Sequence, residues 1–192
     1  MASKPGERKL QILQTVAQML EQPKGEKITT AALAARMELS EAALYRHFAS
    51  KAQMFEGLIE FIEQTVFSLI NKITQDEKSG LQQVEAIVSM LLGFAQKNRG
   101  MVRVLIGDAL VNEDERLQQR INQLLDRIEA TLKQSLRMAA TQGGMGASVD
   151  VGAHANVLLC YVIGRWMLFA KSGFTRDPLL HWPAQMSILL RK

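Results

Sequence analysis

The sequence predicts an all-α chain of about nine helices, and three observations predict it. Apolar residues recur at the i, i+3, i+4, i+7 spacing of core-facing helices over most of the 192 residues. No run alternates apolar and polar residues as a half-buried strand does, and no internal repeat is evident. Between Ile28 and Lys51, the stretch ITTAALAARMELSEAALYRHFASK reads as two helices of about two turns joined by about three residues, a helix-turn-helix.

In chain order, residues 1 to 7 predict a loose arm, with Arg8 and Lys9 at the start of a first helix from about Glu7 to Glu21. Leu10, Leu13, Ala17 and Leu20 would form its core face, and Pro23 to Gly25 would end it. Thr29 and Ser40 can cap the next two helices, which carry Leu33 on one and Leu44, Tyr45 and Phe48 on the other, with a break at Glu38-Leu39. Ser50-Lys51-Ala52-Gln53 has the form of a capping box and opens a long helix to about Gln75, with Phe55, Leu58, Ile59, Ile62, Val66, Leu69, Ile70 and Ile73 inward. A helix from about Leu81 to Asn98 turns Val84, Ile87, Val88, Leu91, Leu92 and Ala95 inward, and Asn98-Arg99-Gly100 would end it. A short segment holds Val104, Leu105 and Ile106. The next long helix, to about Ala140, buries Leu117, Ile121, Leu124, Ile128 and Leu132. A glycine-containing loop follows, Thr141 to Ser148. Two apolar helices then close the chain, one carrying Val157, Leu158, Tyr161, Val162, Trp166 and Phe169, the other Leu179, Leu180, Trp182, Met186, Leu189 and Leu190. They would expose more apolar surface than a monomer tolerates, so they predict a homodimer held by Tyr161, Trp166, Phe169, Trp182 and Leu189.

Length and pattern suit a three-helix DNA-binding domain over residues 1–50 and a larger helical dimerisation and partner-binding domain over 51–192. A composition of 47% hydrophobic and 22% charged residues excludes a disordered chain. Of the net charge of +4, residues 1 to 51 hold eight Lys/Arg against five Asp/Glu, so the basic excess sits with the helix-turn-helix, as phosphate binding requires. Cys160 is the only cysteine and lies in an apolar run, which predicts a buried thiol in a reducing compartment. The polar start MASKPGERK has no signal-peptide core, and Ala155 to Ala170 reads as too short and too interrupted, by Asn156 and Arg165, to span a bilayer. The expected location is cytoplasmic, with no membrane contact. His47, His154 and His181 have no nucleophile or metal partner in sequence, so no catalytic set, metal or cofactor is expected. The acidic run Glu113, Asp114, Glu115 suits the first turn of a helix.

Within the helix-turn-helix, the expected DNA contacts are Thr29, Thr30, Ser40, Glu41, Ala42, Ala43, Tyr45, Arg46, His47 and Lys51. Capped helix starts point unpaired amides outward as an anion site. Ala42 and Ala43 are small enough to bring the helix to base edges, where a methyl can touch thymine. Lys51 opposes the dipole of the helix it opens, a cost of a few tenths of a kcal/mol that a phosphate would reverse. Tyr45 also fits a half-buried core tyrosine, and His47 an ordinary surface histidine.

The run Thr29, Thr30, Tyr45-Arg46-His47-Phe48 and Lys51 resembles the signature of the TetR family of bacterial DNA-binding proteins. That resemblance implies a two-fold dimer placing two recognition helices on palindromic double-stranded DNA. The words MFEGLIEFIEQ, INKITQDEK, LLGFAQKNRG and RLQQRINQLLDRIEATLKQ resemble, more narrowly, the nucleoid-occlusion branch of that family. This implies a DNA-bound antagonist of division, open to further assembly on DNA, that engages the C-terminal tail of the tubulin-like protein FtsZ. Phe61, Met90, Gly93, Lys97 and Asn98 are the matching tail-binding positions, on the outward sides of two adjacent helices. Lys97 stands where an arginine can occur and Leu69 where a basic residue can occur, which weakens the charge-assisted part of that match. On the residues alone, Phe61 could instead pack against the first helix and Gly93 could admit a close helix crossing. The alternative function is a repressor released by a small-molecule ligand, although the inward stripes show few convergent polar groups.

Overall fold

The computed structural model describes residues 5–22, 28–146 and 149–190. Among them nine α-helices and one 3₁₀ turn follow each other without a strand. The helices are α1 Pro5–Leu20, α2 Thr30–Arg36, α3 Glu41–Tyr45, α4 Lys51–Asp76, α5 Gly80–Lys97, α6 Arg99–Leu105, α7 Glu115–Thr141, α8 Val151–Lys171 and α9 Trp182–Leu189, with the 3₁₀ turn at Asp108–Leu110. The all-α class is therefore as expected. Residues 1–4 of the expected arm and Pro23 to Gly25 lie outside the described residues, while Pro5 to Glu7 are already helical.

The chain divides into two compact units, Met1–Ile62 with Asn98–Ile121, and Glu63–Lys97 with Asn122–Lys192. In the first, α1 buries Ile12, Val16, Met19 and Leu20, whereas Leu10 is exposed and Leu13 half-buried. Of the expected face, Ala17 and Leu20 are buried and Leu10 and Leu13 are not, and α6 crosses α1 at Ala17. There a Cβ on Gly100 would stand 1.8 Å from the Ala17 carbonyl oxygen, so only glycine permits the crossing. Rather than ending a helix, as its sequence context suggests, Gly100 lies inside the first turn of α6. Leu33 and Leu44 of the helix-turn-helix are fully buried, and Phe48 reaches the position of Gly57 on α4.

In the second unit the expected stripe of α5 is buried at every position, as are Leu124, Ile128 and Leu132 of α7. Each fully buried Leu or Ile contributes roughly 2 kcal/mol of hydrophobic transfer. Leu69 and Ile73 of α4 depart from its expected stripe, Leu69 being exposed and Ile73 half-buried. A buried polar bridge joins three helices. Gln83 donates to the carbonyls of Thr74 and Glu77 at the end of α4, and the Ser135 hydroxyl donates to Gln83 Oε1. Trp166 of α8 is wholly buried and its indole N–H donates to the Leu91 carbonyl of α5, 3.0 Å. The Arg165 guanidinium donates to the carbonyls of Asp177, Pro178 and Leu180, fixing the segment ahead of α9. That helix begins only at Trp182, because His181 has a left-handed φ of 72°, so Leu179 and Leu180 precede it.

α8 corrects two expectations. It has 21 residues, and by length and apolar composition it is long enough to cross a bilayer; 39% of its most apolar window is buried by the protein itself. Cys160 is exposed rather than buried. It lies on the side of α8 that carries Val157, Gly164, Met167 and Leu168, all exposed, while Leu158, Val162, Trp166 and Phe169 face inward. An apolar run on a helix distributes around all its sides, and only packing decides which side is covered.

Candidate nucleic-acid interface

The helix-turn-helix is held by its own caps. The Thr29 hydroxyl accepts from Ala32 N at 3.1 Å and the Ser40 hydroxyl from Ala43 N at 3.2 Å. Between the helices Glu38 adopts a left-handed φ of 54°, and Leu39 N donates to the Ala34 carbonyl, 2.9 Å. At the start of α4 the Ser50 hydroxyl accepts from Gln53 N, and Gln53 Oε1 accepts from Ala49 N. The reciprocal pairing expected of a capping box is present, displaced by one residue on the return bond.

These caps hold the backbone while Leu33, Leu44 and Phe48 pack inward, which leaves much of the polar face presented. Thr29, Ser40, Glu41, Ala42, Tyr45 and Arg46 are exposed; Thr30, Ala43, His47 and Lys51 are half-buried. Tyr45, at 46% exposure, is a surface tyrosine and not a core one. The Thr30 hydroxyl donates to Glu41 Oε2 at 2.6 Å, tying the first residue of α2 to the first residue of α3.

Lys51 differs from its sequence reading as a residue without a folding role. It forms an ion pair with Glu113, and its ammonium lies 5.7 Å from the centre of the Phe55 ring. Glu113 thus supplies the anion that offsets the unfavourable dipole at the start of α4. Asp114 is likewise engaged, by Arg116, at 3.1 Å.

Of the expected partner-binding residues, Phe61 is 36% exposed, and with Asn98 it lines a cavity of about 220 Å³ whose other walls are Leu10, Leu13, Gln14, Leu58 and Met101. Phe61 therefore stands beside α1 while keeping an open edge. Within the second unit, Met90 and Gly93 are half-buried and Lys97 is exposed. A Cβ on Gly93 would meet only Leu179 Cδ1, at 4.0 Å, so no close helix crossing explains that glycine.

The expected dimer residues divide. Trp166, Phe169 and Trp182 are buried inside their own unit, Trp182 donating its indole N–H to the Ser89 hydroxyl, so none of the three is available to a partner. The two helices are as apolar as expected, but their largest rings fill the protomer's own core. Tyr161 and Leu189 remain at the surface, and with Gln185 and Ile188 they line a cavity of about 210 Å³. The Tyr161 hydroxyl donates to Gln185 Oε1 at 2.7 Å, and burial raises its pKa, with Arg165 opposing the shift. A further cavity, of about 410 Å³, is lined by Thr74, Gln83, Ala130, Thr131, Gln134, Ser135 and Met138. Its lining is mixed, and two of its polar side chains, Gln83 and Ser135, are already bonded to each other.

Residues 17–58 match the family described as bacterial regulatory proteins, tetR family, and residues 78–192 match an SlmA-like family described as tetracyclin repressor-like, C-terminal domain. Among solved structures, the fatty acid degradation regulator FadR from Bacillus halodurans has a TM-score of 0.80 at 14% identity, covering 100% of this chain and 97% of that one. The TetR-family regulator PfmR from Thermus thermophilus has a TM-score of 0.78 at 23% identity, covering 94% and 97%. These likenesses concern the fold. The two family models and the capped helix-turn-helix together define a DNA-binding regulator of the TetR type, not an enzyme. Among curated relatives, the nucleoid occlusion factor SlmA of Marinomonas sp. (strain MWYL1) is 49% identical over 98% of this chain and 96% of its own length. That of Alteromonas mediterranea is 52% identical over 92% and 91%. The chain belongs to the SlmA family.

Proposed function

We propose that this protein is a nucleoid occlusion factor. Bound as a dimer to palindromic chromosomal sites, it engages the C-terminal tail of FtsZ and antagonises its polymers, so that division does not occur over the nucleoid. The observation that carries this reading is the near full-length identity, about half of all residues, with relatives named for that role. Residues 1–50 would read DNA and residues 51–192 would dimerise and bind the partner, placing the protein in the cytoplasm on the nucleoid.

DNA recognition is assigned to the exposed face of α2 and α3, with Arg46 as a phosphate contact and Ala42 and Ala43 against base edges. Lys51 can serve a phosphate only in competition with Glu113. The dimer face is assigned to Val157, Cys160, Gly164 and Leu168 of α8, continued by Ile188 and Leu189 of α9. For the tail, the residues to test are Phe61 with Asn98, and the α5 line of Met90, Gly93 and Lys97.

Purified protein with duplex carrying its selected site should reduce sedimentation of FtsZ polymers, and a scrambled duplex should support little effect. Equal polymer mass in both would overturn the reading. Phe61→Ala and Gly93→Glu should lose the effect while retaining DNA affinity. A cavity of about 410 Å³ with a mixed lining is the observation behind a second reading, a repressor released by a small-molecule ligand. It would be preferred if a metabolite raised the melting temperature and released DNA while FtsZ remained untouched.

A further inference from the structure

We propose that Glu41 is a base-reading residue that selects a cytosine, and that Thr30 is the positioning residue that aims it. The inference rests on the DNA-binding reading and extends it to one side chain and one base. Glu41 is exposed as the first residue of α3, next to the exposed Ala42. The neighbouring hydroxyls are already committed, that of Thr29 to Ala32 N and that of Ser40 to Ala43 N. The Thr30 hydroxyl, by contrast, donates across the helix-turn-helix to Glu41 Oε2 at 2.6 Å.

A carboxylate on a surface that meets a polyanion is repelled wherever it faces phosphate; the start of α3 and Thr30 hold Glu41 there, and the lone pairs left over suit a donor on a base. Carboxylates accept only, with about four lone-pair sites, and Thr30 takes one of them. In the major groove the donors are the exocyclic amino groups, and a glutamate pairs with cytosine N4. Guanine and thymine present acceptors at the corresponding edge and would face the carboxylate without a proton. Adenine offers a donor at N6 but sets the N7 acceptor beside it, so Glu41 favours cytosine and repels the backbone, guanine and thymine, which raises specificity more than affinity. Thr30 restricts the glutamate's rotamers before DNA arrives, so less side-chain freedom is lost on binding.

The test is selection of duplexes from a randomised library by the full-length protein, followed by titration of the selected duplex and its single-base variants. Wild type should enrich a motif containing a cytosine in each half-site. Glu41→Ala should lose preference at that position alone, by about tenfold in relative affinity, and should bind a scrambled duplex more tightly than wild type. Glu41→Gln should move the preference toward adenine, because an amide pairs with adenine N6 and N7. Thr30→Val should weaken the cytosine preference, and Thr30→Ser, which keeps the donor, should restore it. An unchanged motif for Glu41→Ala overturns the base-reading role, and an adenine at the affected wild-type position overturns the assignment to cytosine. A Thr30→Val variant identical to wild type removes Thr30 from the device. If wild type enriches no motif, the proposed sequence-specific function falls, and this inference with it.

Discussion

The helix-turn-helix and the outer side of α8 are the two surfaces proposed to meet a partner, yet they are built in opposite ways. On α2 and α3 the polar side chains are fixed by neighbours three residues away, as Thr29 and Ser40 are by Ala32 and Ala43. Recognition there is prepared by local hydrogen bonds. On α8 the exposed side carries only a weak local bond, from the Cys160 thiol to Asn156 Oδ1 at 3.8 Å; Val157, Cys160, Gly164 and Leu168 face outward because Leu158, Val162 and Trp166 are drawn into the core. A polar recognition surface can be written in one short stretch, whereas an apolar one is what remains after the interior has been filled.

The strongest way to break this comparison is to confuse core with interface deliberately. Trp166→Ala should cost about 4 kcal/mol in urea denaturation, by removing a fully buried ring and the bond to Leu91. If Trp166→Ala instead leaves stability intact and yields folded monomers, the assignment of α8's two sides is reversed. Next in size, Leu168→Glu on the opposite side should keep helical circular dichroism while weakening dimerisation at least about a hundredfold, the effect of burying an unpaired charge at an interface. Sedimentation velocity across a dilution series reads this directly, and an unchanged dimer would move the interface elsewhere.

The helix-turn-helix yields smaller effects of a different kind. Arg46→Ala should weaken every duplex alike and reduce the slope of log K against log salt by about one unit. Lys51→Ala should do so less, because Glu113 already competes for it; a double-mutant cycle with Glu113→Ala should show a coupling of about 1 kcal/mol or below. A full unit of slope for Lys51→Ala would mean that DNA displaces Glu113. The smallest expected effect tests a local cap within the second unit. Asp150 Oδ1 accepts from Gly152 N and Ala153 N at the start of α8, and these amides, first that of Ala153, hold its pKa below the ordinary carboxylate value. A depressed folded pKa contributes stability above the unfolded pKa near 3.8 and loses it as pH falls through the folded value. Asp150→Ala should therefore melt lower than wild type at pH 7, and the gap should close below pH 4. A gap independent of pH would show that the charge is immaterial.

Sequence alone determined the succession of helices, the caps at Thr29, Ser40 and Ser50, and the buried stripe of α5, since each depends on residues within one or two turns. It also identified the family, through the phrase from Thr29 to Lys51 and the longer words beyond it. Rotation of a helix about its own axis was left to tertiary structure. Leu10 and Leu69 satisfied a helical stripe and are nevertheless exposed, and Cys160 sat in an apolar run and faces outward. Trp166, Phe169 and Trp182 were apolar enough for an interface and were taken by the core instead. Periodicity marks that a helix has an apolar side, but several sides of an apolar helix meet that description equally well. The choice is made by close approaches such as Gly100 against Ala17, and by distant partners such as Leu91 for Trp166 and Glu113 for Lys51. Those partners are 62 or more residues away in the chain, beyond what a pattern of neighbours can encode.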